Sequence, residues 1–188
     1  MFEYYFNPSD FNPMSTLLPS IKTTKPIGSS TPIIPLHIYQ TWHTKTNLPP
    51  GMEKTIQQIK SLNPEFKHHL FDDHDCRSFI QNQMNDIHGV LEAYDTLIPG
   101  AYKADLWRYC ILFRYGGIYL DIKFKPYHHF KFIEFIDNEY FVVDRADLIG
   151  RPAIYNAFMI AKPGNIQLKT CIQKIVDNVA KRSYGLCK

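Results

Sequence analysis

The chain has little that would tie it to a membrane, a metal cluster or a nucleic acid. Its 188 residues contain no apolar run of 18 or more, so no membrane-spanning helix is expected, and no signal peptide is visible. The four cysteines (Cys76, Cys110, Cys171, Cys187) lie far apart and never in C-x-x-C spacing. They read as free thiols of a reducing compartment, which together with the missing leader points to the cytoplasm. Among the eight histidines, His68-His69 and His128-His129 are adjacent pairs, whose members face opposite ways on a strand. None has the H-x-x-x-H spacing of a helical zinc site, so satisfied or exposed histidines are expected. The net charge of +3 is mild and forms no basic stripe, which argues against a nucleic-acid role. No Ser-His or Cys-His nucleophile arrangement stands out either.

What is present fits one α/β domain. At 45% hydrophobic content the chain can bury a substantial core. Residues 1–31 differ from the rest: Pro8, Pro13, Pro19 and Pro26, with scattered serines and Gly28, break any regular period. An irregular arm is expected there, with Phe2, Tyr4, Tyr5 and Phe6 as an aromatic hook. From residue 32 to 188, strands and helices alternate. Strands are expected at 36–39, 66–71, 118–124, 139–143 and 153–160. Helices are expected at 52–62, 73–84, 90–97, 101–115 and 166–181, the last burying Ile166, Ile172, Ile175, Val176 and Val179. Such alternation predicts a mostly parallel sheet with helices on both faces, a Rossmann-like layering. Ligands then bind beyond the carboxyl ends of the strands, where Gln40-Thr41-Trp42, Asp72-Asp73 and Asp121–Lys123 all fall.

The segment AYKADLWRYCILFRYGGIYLDIKFKP (101–126) carries the sharpest signal. Ala104, Trp107, Ile111 and Tyr115 recur at helical steps, and Asp105 and Arg108, three apart, share a face with Leu112. Gly116 or Gly117 can take the left-handed conformation that stops a helix. In GIYLDIKF the alternation puts Asp121 and Lys123 on one side of a strand, with Tyr119 behind them. An acid–base pair on a helix beside a second acid at a strand end suits a phosphorylated ligand. Plainer readings exist for each residue. Asp72-Asp73 before a helix reads first as a cap. Asp105 and Arg108 could form a surface ion pair of small worth. Trp42 is open between a rim aromatic and a base-stacking one. Asn156, mid-strand between apolar residues, needs a partner or touches an acceptor.

These blocks together resemble a known family. A-x-x-A-D-L-W-R-Y…Y-G-G-I-Y-L-D-I-K is similar to the core signature of glycosyltransferases with the DXD sugar-binding motif, family 32. That family includes fungal Golgi α-1,6-mannosyltransferases and inositolphosphoceramide mannosyltransferase-like proteins, with viral and bacterial members. PLHIYQTW (35–42), Asn63-Pro64 to Asp72-Asp73, and AIYNAFMIAKPG (153–164) resemble flanking blocks of the family in the same order. The resemblance implies a GT-A fold over 32–188, with part of the usual C-terminal region missing. It implies transfer of a hexose from a nucleotide sugar to a glycan, lipid or protein acceptor, with retention of anomeric configuration. By the same resemblance Gln40 and Trp42 would border the base and ribose, and Asp105 and Arg108 would hold ribose and sugar hydroxyls. Tyr119 would support the site, and Asp121 would reach the ribose or a divalent cation (Mn²⁺ or Mg²⁺); Asn156, read from its mid-strand position alone, is the candidate acceptor contact. Asp121 and Asp105 are thus the candidate catalytic residues.

One position departs from the family pattern: Lys123 stands where most members have a second aspartate. An ammonium there removes a metal ligand and is expected to pair with Asp121 and contact the donor diphosphate. Two further readings remain at this point. One is a degenerate transferase domain that binds nucleotide sugar or glycan without turnover. The other is an aspartate-nucleophile phosphatase, which would want its D-x-D on the first strand, whereas Asp121 follows two strand–helix units.

Overall fold

Apolar alternation on strands and apolar stripes on helices must be buried against one another, and here they meet in three layers. The computed structural model describes residues 33–127, 130–144 and 153–183. The expected arm at 1–31, His128-His129 and Cys187 lie outside these residues. In chain order the elements are β1 (His37–Thr41), α1 (Pro50–Leu62), β2 (Lys67–Phe71), α2 (Asp73–Gln83), α3 (Val90–Thr96) and α4 (Gly100–Tyr115). They continue with β3 (Gly117–Leu120), a 3₁₀ turn (Phe132–Phe135), β4 (Tyr140–Val143), β5 (Ile154–Ala161) and α5 (Ile166–Ala180).

The sheet order is β2-β1-β3-β5-β4. β1 pairs parallel with β2 and β3, while β5 runs antiparallel to both β3 and β4. Four strands therefore point one way. Their carboxyl ends and the start of β5 form a single rim. Register explains the two cores. Ile38, Ile118 and Ile160 are cross-strand neighbours and face the layer of Ile34, Ile59, Phe66 and Phe132. Tyr39, Tyr119 and Met159, one position along, face the opposite layer of α2 to α5. Helices on both faces of the sheet are thus observed, as the sequence pattern predicts, while the sheet itself is mixed, parallel through β2-β1-β3 and antiparallel through β3-β5-β4.

The α4–β3 junction depends on its glycines. Gly116 and Gly117 have φ of 63° and 112°. A Cβ on Gly117 would lie 2.7 Å from the His37 carbonyl oxygen of β1, so a side chain there would push the central strands apart. Three sequence expectations are corrected. β3 ends at Leu120, not 124, because the chain turns at Asp121, whose carbonyl accepts from the Phe124 amide at 2.9 Å. That turn drops Phe124 onto Phe158, ring centroids 5.6 Å apart, a gain that a straight strand would forgo. Ile166 is exposed rather than buried, since Asn165 caps α5 and Leu168 takes the inward position. Tyr115 is 42% exposed, while Leu106, Cys110 and Leu112 are buried, because α4 is enclosed on several sides and follows no single apolar stripe.

Candidate functional site

α4 runs down towards Gly116-Gly117 and β3 runs back up, so the first half of α4 stands beside the carboxyl end of β3. This places Arg108 at the rim with its side chain only 7% accessible. A buried guanidinium is tolerated only when its donors are met, and these are. Nε donates to the Ala104 carbonyl at 3.2 Å, and Nη1 to the Asn156 carbonyl at 3.0 Å and its Oδ1 at 3.1 Å. Nη2 lies 3.3 Å from Asp105 Oδ1 and 3.7 Å from Asp121 Oδ1. The Tyr119 ring closes the underside, its centroid 4.5 Å from the guanidinium.

Two carboxylates are held by this hub. Asp105 Oδ1 also accepts from Asn156 Nδ2 at 3.1 Å, and the same amide donates to Tyr109 Oη at 3.1 Å. Desolvation pushes the Asp105 carboxyl above its ordinary range, against the opposing pull of Arg108 and Asn156. Asp121 Oδ1 accepts from the Tyr119 hydroxyl at 3.0 Å, and burial keeps that phenol well above its usual pKa, hence protonated. Among the described residues, Oδ2 of neither acid has a protein partner in this cluster. The Asp105 side chain is 35% accessible and that of Asp121 46%. Each acid is therefore oriented through Oδ1 while its side chain stays partly accessible.

The main chain at Asp121 is fixed as well. Its amide donates to the Ala157 carbonyl at 2.8 Å, and its carbonyl accepts from Gln40 Nε2 at 3.0 Å. Gln40 Oε1 in turn accepts from His68 Nε2 at 2.8 Å. An amide oxygen only accepts, so His68 carries its proton on Nε2. Burial lowers the His68 pKa to about 4 and keeps the ring neutral.

The structure brings Asp105, Arg108, Tyr119, Asp121 and Asn156 together, and it redistributes roles among the expected residues. Gln40 is fully buried, with both amide ends used inside the fold, so it orients Asp121 and has no free group for a base or ribose. Arg108 and Tyr119 likewise face inward and orient the acids. Asn156 is engaged by Arg108, Asp105 and Tyr109, which answers its need for a partner. Trp42 sits at the rim, half-buried, its amide donating to the Phe71 carbonyl at 3.0 Å and its ring 4.8 Å from that of His43. Lys123 is exposed in the turn after β3 and forms no ion pair with Asp121, contrary to expectation, because the turn carries it off the strand face. Asp121 pairs with Arg108 instead.

Sequence reasoning missed Tyr109, Tyr155 and Asp144. Tyr109 lies four residues after Asp105, and helical spacing alone would have found it. Asp144 follows β4 on the same rim, and it raises the Tyr155 phenol pKa after desolvation and Asp121 have done so. Its place at a strand's carboxyl end was the available signal.

A second acidic group lies at the far side of the rim. Asp72, His74 and Asp75 have ligand atoms within 4.8 Å of one another. One oxygen of each acid serves a capping box on α2: Asp72 Oδ1 accepts from the Asp75 amide at 2.9 Å, and Asp75 Oδ2 from the Asp72 amide at 3.1 Å. The Lys45 ammonium bridges both carboxylates. This is the cap foreseen for Asp72-Asp73, formed by Asp72 with Asp75.

A rim of this kind, over a Rossmann-like sheet with the helix–glycine–strand block at its centre, defines a GT-A architecture. Among solved structures, PaToxG glycosyltransferase is similar with a TM-score of 0.56 at 15% identity, over 81% of this chain and 64% of that one. Residues 49–142 match the family described as glycosyltransferase sugar-binding region containing DXD motif, and the chain belongs to that family. It is 33% identical over 111 residues to the initiation-specific alpha-1,6-mannosyltransferase of Candida albicans, a match covering 57% of this chain and 29% of that protein. It is 34% identical over 116 residues to inositol phosphoceramide mannosyltransferase 2 of Schizosaccharomyces pombe, covering 61% and 31%. The matched stretch thus spans about a third of each of these relatives.

Some members of such a family would hold a divalent cation between the two acids of the motif. The residues here do not fit one at that place. Asp121 offers one open oxygen, the second acid is replaced by Lys123, and the Arg108 guanidinium lies 3.7 Å from the same carboxylate. Hard cations need several oxygen ligands, and with Lys123 in the second place the motif supplies one carboxylate instead of two.

Proposed function

We propose that the chain transfers a hexose from a nucleotide-sugar donor to a glycan, lipid or protein acceptor, with retention. One observation carries the reading: Asp105 and Asp121 are each anchored through Oδ1 to one buried guanidinium, and both side chains stay partly accessible at the rim, with no partner for Oδ2 among the described residues. Two fixed, adjacent acceptor oxygens suit the hydroxyls of a ribose and a sugar ring. Arg108, Tyr119 and Asn156 hold the two carboxylates through Oδ1, and Gln40 holds the Asp121 main chain, so little reorganisation is needed when a donor arrives. The names of the relatives put mannose first among the candidate sugars.

Retention needs no strong nucleophile on the protein, because the departing diphosphate can take the acceptor proton while the new bond forms on the same face. The chain then contributes positioning and a preorganised field. Trp42 at the rim is the candidate surface for the base, through its aromatic face.

The test is turnover: GDP-mannose, UDP-glucose and UDP-galactose incubated with the protein, reading release of nucleoside diphosphate with and without acceptor. Release that disappears in Asp105→Asn supports the reading. Binding of a donor without release would favour the degenerate domain, a reading motivated by Lys123. Neither binding nor release with any donor would contradict both.

A further inference from the structure

Charge bookkeeping around Asp121 leads beyond the donor reading, on which this inference rests. Arg108 is neutralised locally: its donors are spent on Asp105, Asp121, Asn156 and the Ala104 carbonyl, and its side chain is almost wholly buried. It has little left to offer a diphosphate. With two carboxylates against one guanidinium, the cluster is net acidic and would repel a diphosphate. A member of the family with the full D-x-D would be more acidic still by one unit and would need a divalent cation to bind a diphosphate there. Replacing that aspartate by lysine raises the local charge by two, the charge of one such cation.

Lys123 is near in the chain and exposed, as that exchange requires. The turn closed by the Asp121 carbonyl and the Phe124 amide, 2.9 Å, places it two residues from the open carboxylate. The backbone of the turn is pinned by Gln40 and by Phe124 on Phe158, whereas the Lys123 side chain is exposed. No ion pair ties its ammonium to Asp121 or to any other described acid, so the charge is available to a ligand. An ammonium is a compact point charge with three donors and binds phosphate oxygens well.

We infer that Lys123 takes the place of the divalent cation, so that this chain binds the diphosphate of its donor without metal. The charge that other members import is covalently built into the turn after β3.

The experiment is calorimetric titration of GDP and UDP into the full chain, in EDTA and in millimolar Mn²⁺. For whichever nucleotide binds, the wild-type Kd is expected to agree within about twofold between the two conditions. Lys123→Ala should weaken binding about tenfold in both, the loss of one charge-assisted contact. Lys123→Asp should bind about tenfold more tightly in Mn²⁺ than in EDTA. Because Lys123 is exposed, these variants should unfold at the wild-type temperature, and a thermal melt checks that. Wild-type binding only in Mn²⁺, with Lys123→Ala indistinguishable from it, would overturn the inference and leave the donor reading standing. Loss of any Mn²⁺ effect in Asp144→Asn, where wild type shows one, would overturn it too and give the cation to Asp144. Binding of neither nucleotide in either condition would overturn the donor reading and this inference with it.

Discussion

Two acidic clusters share one rim of this sheet, and each sets two carboxylates around a single cation. At β3, the cation is Arg108, with a side chain 7% accessible, and its guanidinium fixes Asp105, Asp121 and Asn156 from three elements. At β2, the cation is Lys45, with a side chain 44% accessible, bridging two acids of one helix start. The compositions are nearly alike and the physics is not. A buried, fully coordinated guanidinium costs much desolvation energy and is stable only with every partner in place. An exposed ammonium on a capping box is screened and replaceable by water. The first cluster holds two partly accessible carboxylates at the rim. The second uses its oxygens to start a helix.

The largest effect should follow from breaking the buried hub. Arg108→Ala leaves Asp105 and Asn156 without their common partner, and a loss of about 3–5 kcal/mol is expected in urea unfolding. A loss below about 1 kcal/mol would mean that Arg108 is no more structural than Lys45. Asp72→Ala should cost less, about 1 kcal/mol for a lost helix cap.

The finest contrast is in pH dependence. The fold lowers the Asp72 pKa, chiefly through the hydrogen bond from the Asp75 amide, so the unfolded chain binds the proton more tightly. Its contribution is present above the unfolded Asp pKa and is lost as pH falls through the folded one. The fold raises the Asp105 pKa, chiefly by desolvation, so there the native state holds the proton. That contribution falls as pH rises from the unfolded pKa through the folded one. Asp72→Asn should flatten the acid limb of stability against pH, and Asp105→Asn should steepen it. Equal changes in both variants would mean that the two clusters are electrostatically alike.

Much of the fold was legible in the sequence because its elements obey single periods. β1, β2, β4 and β5 lie within a residue or two of their apolar runs, and the α2 cap follows from Asp72 before a helical pattern. Where burial comes from several sides, one period fails: α4 is packed nearly all round, and Tyr115 at its end is pushed out. The end of β3 was hidden because Phe124 leaves the strand for an aromatic cluster assembled from residues far along the chain. In the site, helix spacing gave the Asp105–Arg108 pair, and the strand end gave Asp121. Which groups stay accessible at the rim and which face inward was not legible. Gln40 and Arg108 look like ligand contacts in one dimension, and only the packing of β1 against β3 and of α4 against β5 shows them turned inward.

The central claim is that the β3 cluster, and not the β2 cluster, binds the donor. Titration of the tightest-binding nucleotide sugar into wild type, Asp121→Asn and Asp72→Asn tests it directly. The account predicts roughly tenfold weaker binding for Asp121→Asn, from one lost charge-assisted hydrogen bond. It predicts an unchanged Kd for Asp72→Asn. Full affinity in Asp121→Asn with a loss in Asp72→Asn would contradict it.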